Sequence, residues 1–291
     1  MYLCIGVVAS NLVLELGLAG AIMGALRRFT GWFHLSDELT SGAIARLFSP
    51  SAGYAVLAEM HRKGRMGTKE VLLATMLPSF PYELIRVFRF YLPVMLPLVG
   101  AQVAFKYIAI KLGSGLLQST SALAYARLSL PEVENHGAAP PGGGLRTALR
   151  NSLRTLMRVV PVFLVAYLFA SYLIDSGAME EIAKYSQPLT SALSLPGASA
   201  VVMATQVVNV VAGFAIAGEL AARGMLTGRE VLITLIAGLV LSLPRIHLQH
   251  TVPAVFSLFP RRLATLLVLF RMGVEASIML GILMLLLHLP P

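Results

Sequence analysis

The chain has 291 residues, of which 57% are hydrophobic and only 13% charged, with 23 Lys and Arg against 14 Asp and Glu. A soluble fold of this length needs far more charge to cover its surface, so the composition specifies an integral membrane protein. The net charge of +9 does not indicate nucleic acid, because the basic residues cluster at the ends of apolar segments (Arg27-Arg28, His61 to Lys69, and Arg146, Arg150, Arg154 and Arg158). Such clusters mark a cytoplasmic membrane face.

A spanning helix takes about 20 apolar residues. Residues 2–26 supply the first; they lack a basic start and carry Glu15, which points to a retained helix rather than a cleaved leader. Residues 36–62 hold two apolar half-helices around Ser49-Pro50-Ser51-Ala52-Gly53, the pattern of a re-entrant hairpin or of one kinked spanning helix. The next helix, 69–90, is interrupted at Ser79-Phe80-Pro81, and 91–112 reads as straight. Gln118, Ser119, Thr120 and Ser121 make 113–128 a short polar segment that is expected not to cross. Residues 129–146 are a Pro- and Gly-rich linker between a first membrane repeat, 1–128, and a second, 147–291. After a helix at 157–175, a second hairpin is expected over 196–222, with Gln206, Asn209 and Gly213 near its tip. A helix over 229–249 is interrupted at Ser242-Leu243-Pro244, and two apolar helices follow, 253–272 and 273–289.

The two halves align without a gap at a constant offset of 160 residues. Ala52, Gly53, Ala55, Glu59, Gly64, Glu70, Val71 and Leu72 meet Ala212, Gly213, Ala215, Glu219, Gly224, Glu230, Val231 and Leu232, and the same offset pairs Pro93 with Pro253 and Gly113 with Gly273. A duplicated unit in an apolar chain is the signature of a transporter-like fold with its ligand site where the copies meet. If 69–90 and 91–112 cross and 113–128 does not, the second copy starts from the opposite side. The expected fold is therefore all-α and polytopic, with two inverted-topology repeats, each holding a re-entrant hairpin and a Pro-broken helix.

The stretch Gly53 to Leu73 (G-Y-A-V-L-A-E-M-H-R-K-G-R-M-G-T-K-E-V-L-L), repeated as G-F-A-I-A-G-E-L-A-A-R-G-M-L-T-G-R-E-V-L-I, resembles the nucleoside-recognition, or Gate, domain family. The resemblance covers nearly the whole chain as Gate units over 36–128 and 179–289. It implies a fold similar to the membrane part of ferrous-iron transporters and, in plan, to concentrative nucleoside transporters. The chain departs from the iron transporters in lacking an attached GTP-binding domain and hairpin-tip cysteines, which counts against iron.

The candidate site combines the hairpin tips (Ser49, Ser51 and Gly53; Gln206, Asn209 and Gly213) with the breaks at Ser79 and Ser242, where unwound backbone can bind a solute. The alternative is that these groups only satisfy backbone freed by the kinks. Arg86 and Arg89 follow the first break, and Arg245, His247 and His250 the second. They form either an anion-binding vestibule or an interfacial set that snorkels to lipid phosphate. Glu275 either couples proton movement or pairs with Arg271. Glu59 and Glu219 are expected to pair with Lys63 and Arg223 four residues on. His247-x-x-His250 supplies two metal-type ligands, which do not make a site, and the single Cys4 excludes a Cys-rich one. No metal, cofactor or catalytic set is expected. The expected function is a transporter or facilitator in the cell membrane, multi-pass, for a small polar or anionic solute. The alternative is a non-transporting membrane scaffold or accessory subunit, with a homo-oligomeric or other membrane partner and no nucleic acid.

Overall fold

The structure is a computed structural model that describes Ala43, Arg46, Leu47, residues 50–129, Met157, Leu168, Tyr172, Ser176 and residues 190–288. The expected helix at 2–26, the linker, most of 157–175 and Ser49 lie outside the described residues. All described elements are helical. In the first half they are α1 (Pro50–Arg62), α2 (Thr68–Met76), α3 (Ser79–Arg86), a π-helical stretch (Val87–Met95), α4 (Leu96–Val99) and α5 (Ala101–Ser129). In the second they are α6 (Ala198–Val208), α7 (Val210–Ala222), α8 (Gly228–Ile246), a second π stretch (His247–Thr251), α9 (Val252–Phe256) and α10 (Arg261–His288). Three continuous runs, Thr68–Val99, Gly228–Phe256 and Arg261–His288, are long and apolar enough to cross a membrane, which marks a membrane protein.

The offset of 160 residues recurs in the local structure. Gly64 and Gly224 both take positive φ, at 69° and 72°, and close matching turns after Glu59–Lys63 and Glu219–Arg223 ion pairs of 3.1 and 2.7 Å. The Lys63 hydrogen bond, with Arg62 beside it, holds the Glu59 carboxyl below its usual pKa. A capping box opens α8 and its glutamate half opens α2: Glu230 Oε2 accepts from Thr227 N at 2.7 Å with Thr227 Oγ1 accepting in return, while Glu70 Oε2 accepts from Gly67 N at 2.5 Å. Both π stretches start at matched positions, Val87 and His247.

Ahead of each of these runs the chain folds back on itself. A Cβ at Gly213 would stand 2.6 Å from Gln206 Cβ, although seven residues of straight helix span about 10.5 Å. Asn209, extended at φ −150° and ψ 119°, makes this turn, and its side chain accepts from Val211 N and Ala212 N to cap α7. In the first half a Cβ at Gly53 would stand 2.7 Å from Arg46 Cα, again seven residues earlier.

Each hairpin packs on the opposite half. Helix α7 lies against α4 and the first π stretch, and α1 lies against α9. Phe214 of α7 meets Phe90 and Tyr107 with ring centroids 6.0 and 5.7 Å apart, while Tyr54 of α1 meets Phe259 edge-on at 6.5 Å. These aromatic contacts centre two apolar clusters, one around Tyr91, Tyr107 and Phe214 and one around Tyr54, Leu57 and Leu267.

Several helix boundaries differ from the sequence expectation. The first interruption falls at Leu77–Pro78, not within Ser79-Phe80-Pro81; Pro81 occupies the first turn of α3, where the missing N–H has no helical partner to lose. There is no interruption at Ser242-Leu243-Pro244, because α8 runs through Pro244 to Ile246 and only then widens into the π stretch. Pro93 and Pro253 do not begin new helices. The first lies in a π stretch and the second just after one, so each helix continues past its proline. The true turn after the first run is Gly100, at φ 80°. Segment 113–128 is not separate: it completes α5, whose 29 residues span about 43 Å. Likewise 253–272 and 273–289 become the end of one run and a single helix, α10.

Candidate functional site

Two prolines, Pro78 and Pro81, leave carbonyls without helical partners where α2 gives way to α3. Helix α5 crosses this point closely, because a Cβ at Gly115 would already stand 3.1 Å from Phe80 Cα. Ser119 of α5 repairs the break: its hydroxyl donates to Leu77 O at 2.8 Å, the carbonyl Pro81 cannot serve, and accepts from Phe80 N at 3.0 Å. Ser119→Ala should therefore cost about 1–3 kcal/mol in thermal unfolding, while Thr120→Ala, an exposed hydroxyl one residue on, should change little.

Beside this repair lies a polar layer. Ser79 Oγ donates to Gln118 Oε1 at 3.2 Å, and Arg271 of α10 sends Nη1 to Thr75 O, Ser79 Oγ and Gln118 Oε1 at 2.9, 3.3 and 3.4 Å. Arg46 also donates Nη1 to Thr75 O. Four residues further along α3 and α10, and seven back along α5, the same three helices build a charged layer. Lys111 Nζ stands 3.3 Å from Glu83 Oε1 and 3.6 Å from Glu275 Oε1. Tyr91 OH donates to Glu83 Oε2 at 2.8 Å, and Arg86 Nη1 lies 3.3 Å from Glu83 Oε1. His247 Nε2 is 3.7 Å from Glu275 Oε2, while its Nδ1 lies 3.1 Å from Thr251 Oγ1. Lys111 is 2% exposed, so this is an interior ion network drawn from both halves.

Of the residues expected from the sequence, Ser79, Arg86, His247 and Glu275 join these two layers. The others do not. Gln206 sends Nε2 to Leu235 O at 3.0 Å, Ser242 donates back to Gly238 O at 2.6 Å, and Arg245 turns to Gln249 Oε1 at 2.6 Å. Asn209 caps its helix, Gly213 and Gly53 admit the fold-back, and Ser51 is placed by its backbone alone. Arg86 and Arg245 are not symmetry partners: the offset matches Arg86 to Ile246, and Arg86 is neutralised by Glu83. Glu275 pairs with Lys111 and His247 rather than with Arg271. His247 is buried while His250 is exposed, since a π turn splays residues three apart.

Sequence reasoning missed Glu83, Tyr91, Lys111 and Arg46. One signal was available: Lys111 and Arg271 sit at the 160-residue offset, a matched cation inside two apolar helices, two residues before the matched Gly113 and Gly273.

The chain is similar to proteins of Methanocaldococcus jannaschii. It is 27% identical over 266 residues to the uncharacterized protein MJ0871, covering 89% of this chain and 83% of that one. It is 24% identical over 265 residues to the uncharacterized protein MJ0880, covering 88% and 86%. No protein-family model matches the chain, and no solved structure matches it.

Proposed function

We propose that the chain is a multi-pass cell-membrane transporter or facilitator that carries a small polar or anionic solute between two inverted repeats, each with a re-entrant hairpin. The observation that carries this reading is the interior ion network, in which Lys111 of the first half bridges Glu83 to Glu275 of the second. Ionised groups at bilayer depth are costly and mark solute or ion pathways. Two further features support it. Thr68–Val99 is long and apolar enough to cross, and α5, with 29 residues, has the length for the return crossing that inversion would need before the linker. Helices α6 and α7, of 11 and 13 residues, are each about half as long as a full span.

A second reading, a scaffold that keeps the fold without transport, is favoured by the way Glu83 and Glu275 are already held by Lys111 and Arg86 within the layer. Purified protein in liposomes separates the two. Saturable uptake or counterflow of a labelled nucleoside, phosphate or dicarboxylate, weakened about tenfold or more by Glu275→Gln, is the expected result. Absence of flux for all three solutes from well-folded protein, together with stable co-purification of a second membrane protein, would overturn transport in favour of the scaffold.

A further inference from the structure

Counted over the two polar layers, the described residues hold four cations, Arg46, Arg86, Lys111 and Arg271, against two carboxylates, Glu83 and Glu275. The other four described carboxylates sit at the loops: Glu59 and Glu219 are paired there, and Glu70 and Glu230 accept from the backbone N–H groups that open α2 and α8. Glu83 is shared by Arg86 and Lys111, and Glu275 by Lys111 and His247, so among the described residues Arg46, which lies over the Tyr54 ring at 4.9 Å, and Arg271 have no carboxylate in ion-pair contact. Both guanidinium groups donate to one neutral backbone oxygen, Thr75 O. Two like charges drawn to a single carbonyl repel each other, and an arginine without a counter-charge at this depth is unfavourable.

The second half shows that the charge on Arg46 is not needed for the scaffold. At the 160-residue offset Arg46 corresponds to Gln206 and Thr75 to Leu235, and the Gln206 amide makes the same hydrogen bond, Nε2 to Leu235 O at 3.0 Å. Gly53 and Gly213 admit the two side chains at the same register. A neutral amide thus does the structural task in one copy, while the other carries a full guanidinium. Arg271 makes its three hydrogen bonds through Nη1 alone, which leaves the Nε and Nη2 edge of its fork for another acceptor. Arg46 and Arg271 are both half-buried rather than sealed. Alongside them is the Ser79 hydroxyl, 3.3 Å from Arg271 Nη1.

We propose that Arg46 and Arg271 form an oxyanion site, taking a phosphate- or carboxylate-type group between their guanidinium forks beside Ser79. Planar forks recognise such groups by paired, charge-assisted hydrogen bonds. The assignment rests on the solute-carrying reading above and narrows its substrate class to anions.

The test is titration of the full-length protein in mild detergent with inorganic phosphate and, separately, succinate, read by thermal shift and calorimetry. Saturable binding is expected, weakened at least about tenfold by Arg46→Gln and by Arg271→Gln. Arg46→Gln installs the residue the second copy already uses, so its unliganded thermal midpoint should stay level or rise. Wild type that binds neither anion, or variants that bind as well as wild type, would overturn the site. Native mass spectrometry identifies the source of the oxyanion: phospholipid retained by wild type and lost in both variants would assign the group to a lipid headgroup. Flux measured on the same proteins separates this proposal from the one beneath it. Nucleoside flux without anion binding removes the site and leaves transport standing, whereas anion binding without flux removes transport and leaves the site.

Discussion

Lys111→Met should lower the stability of the protein by about 3–5 kcal/mol, read as a large fall in thermal midpoint in detergent. The ammonium is the only group placed between Glu83 and Glu275 among the described residues, at 3.3 and 3.6 Å, and it is almost wholly out of contact with solvent. Methionine fills the same volume but leaves two interior carboxylates facing each other. That loss is greater than the interaction of either pair alone, because each carboxylate keeps its desolvation cost and loses the one cation they share, leaving Glu83 with Arg86 and Glu275 with His247. Adding Glu83→Gln and Glu275→Gln to Lys111→Met should restore most of the midpoint, and the non-additivity measures the coupling. A single Lys111→Met that unfolds within a degree or two of wild type would show that the network carries little of the stability.

Gly218→Ala should be nearly as damaging, for a reason that involves no charge. A Cβ on Gly218 of α7 would fall inside contact distance of Leu98 O and 2.8 Å from Leu98 C, so the obstacle is backbone and cannot rotate away. The hairpin would have to lift off α4, losing part of the packing of Ala212 and Ala215 on Leu98 and of Phe214 on Phe90 and Tyr107. Overpacking of this kind costs about 3 kcal/mol or more when the neighbour is rigid. Gly281→Ala in α10 is the matched control: nothing lies within 4 Å of its added methyl, and alanine should gain up to about 1 kcal/mol of helix propensity. Thermal midpoints of the two variants in one detergent test the contrast, and equal midpoints would refute close helix packing at Leu98.

What could be read from the sequence was whatever repeats or is local. The offset of 160 residues located matching turns at Gly64 and Gly224 and the Glu59–Lys63 and Glu219–Arg223 pairs, since each depends on neighbours within one turn of helix. Helix limits were harder to place. Counting apolar residues does not distinguish a proline that ends a helix from one absorbed by a π turn, so new helices were expected at 91 and at Pro253, and α5 and α10 were each cut in two. The site was the least legible part. Arg86 drew attention for its position after a break, yet its partner Glu83 lies one turn earlier on the same helix. Lys111, Glu275 and His247 meet only because three helices far apart in sequence cross at one level. A charge in an apolar helix announces a cost; which group offsets it is a tertiary fact.

The reciprocal seating of the hairpins, α7 on α4 and α1 on α9, has a consequence for ancestry. Among the described residues, each half supplies the wall on which a helix of the other rests. A polypeptide with one copy of this unit would find these walls in a second, identical subunit. In such a pair every substitution appears twice. Fusion into one chain lifts that constraint, and the divergence of residue 46, a guanidinium, from residue 206, an amide, is a change that a strict homodimer could not have made.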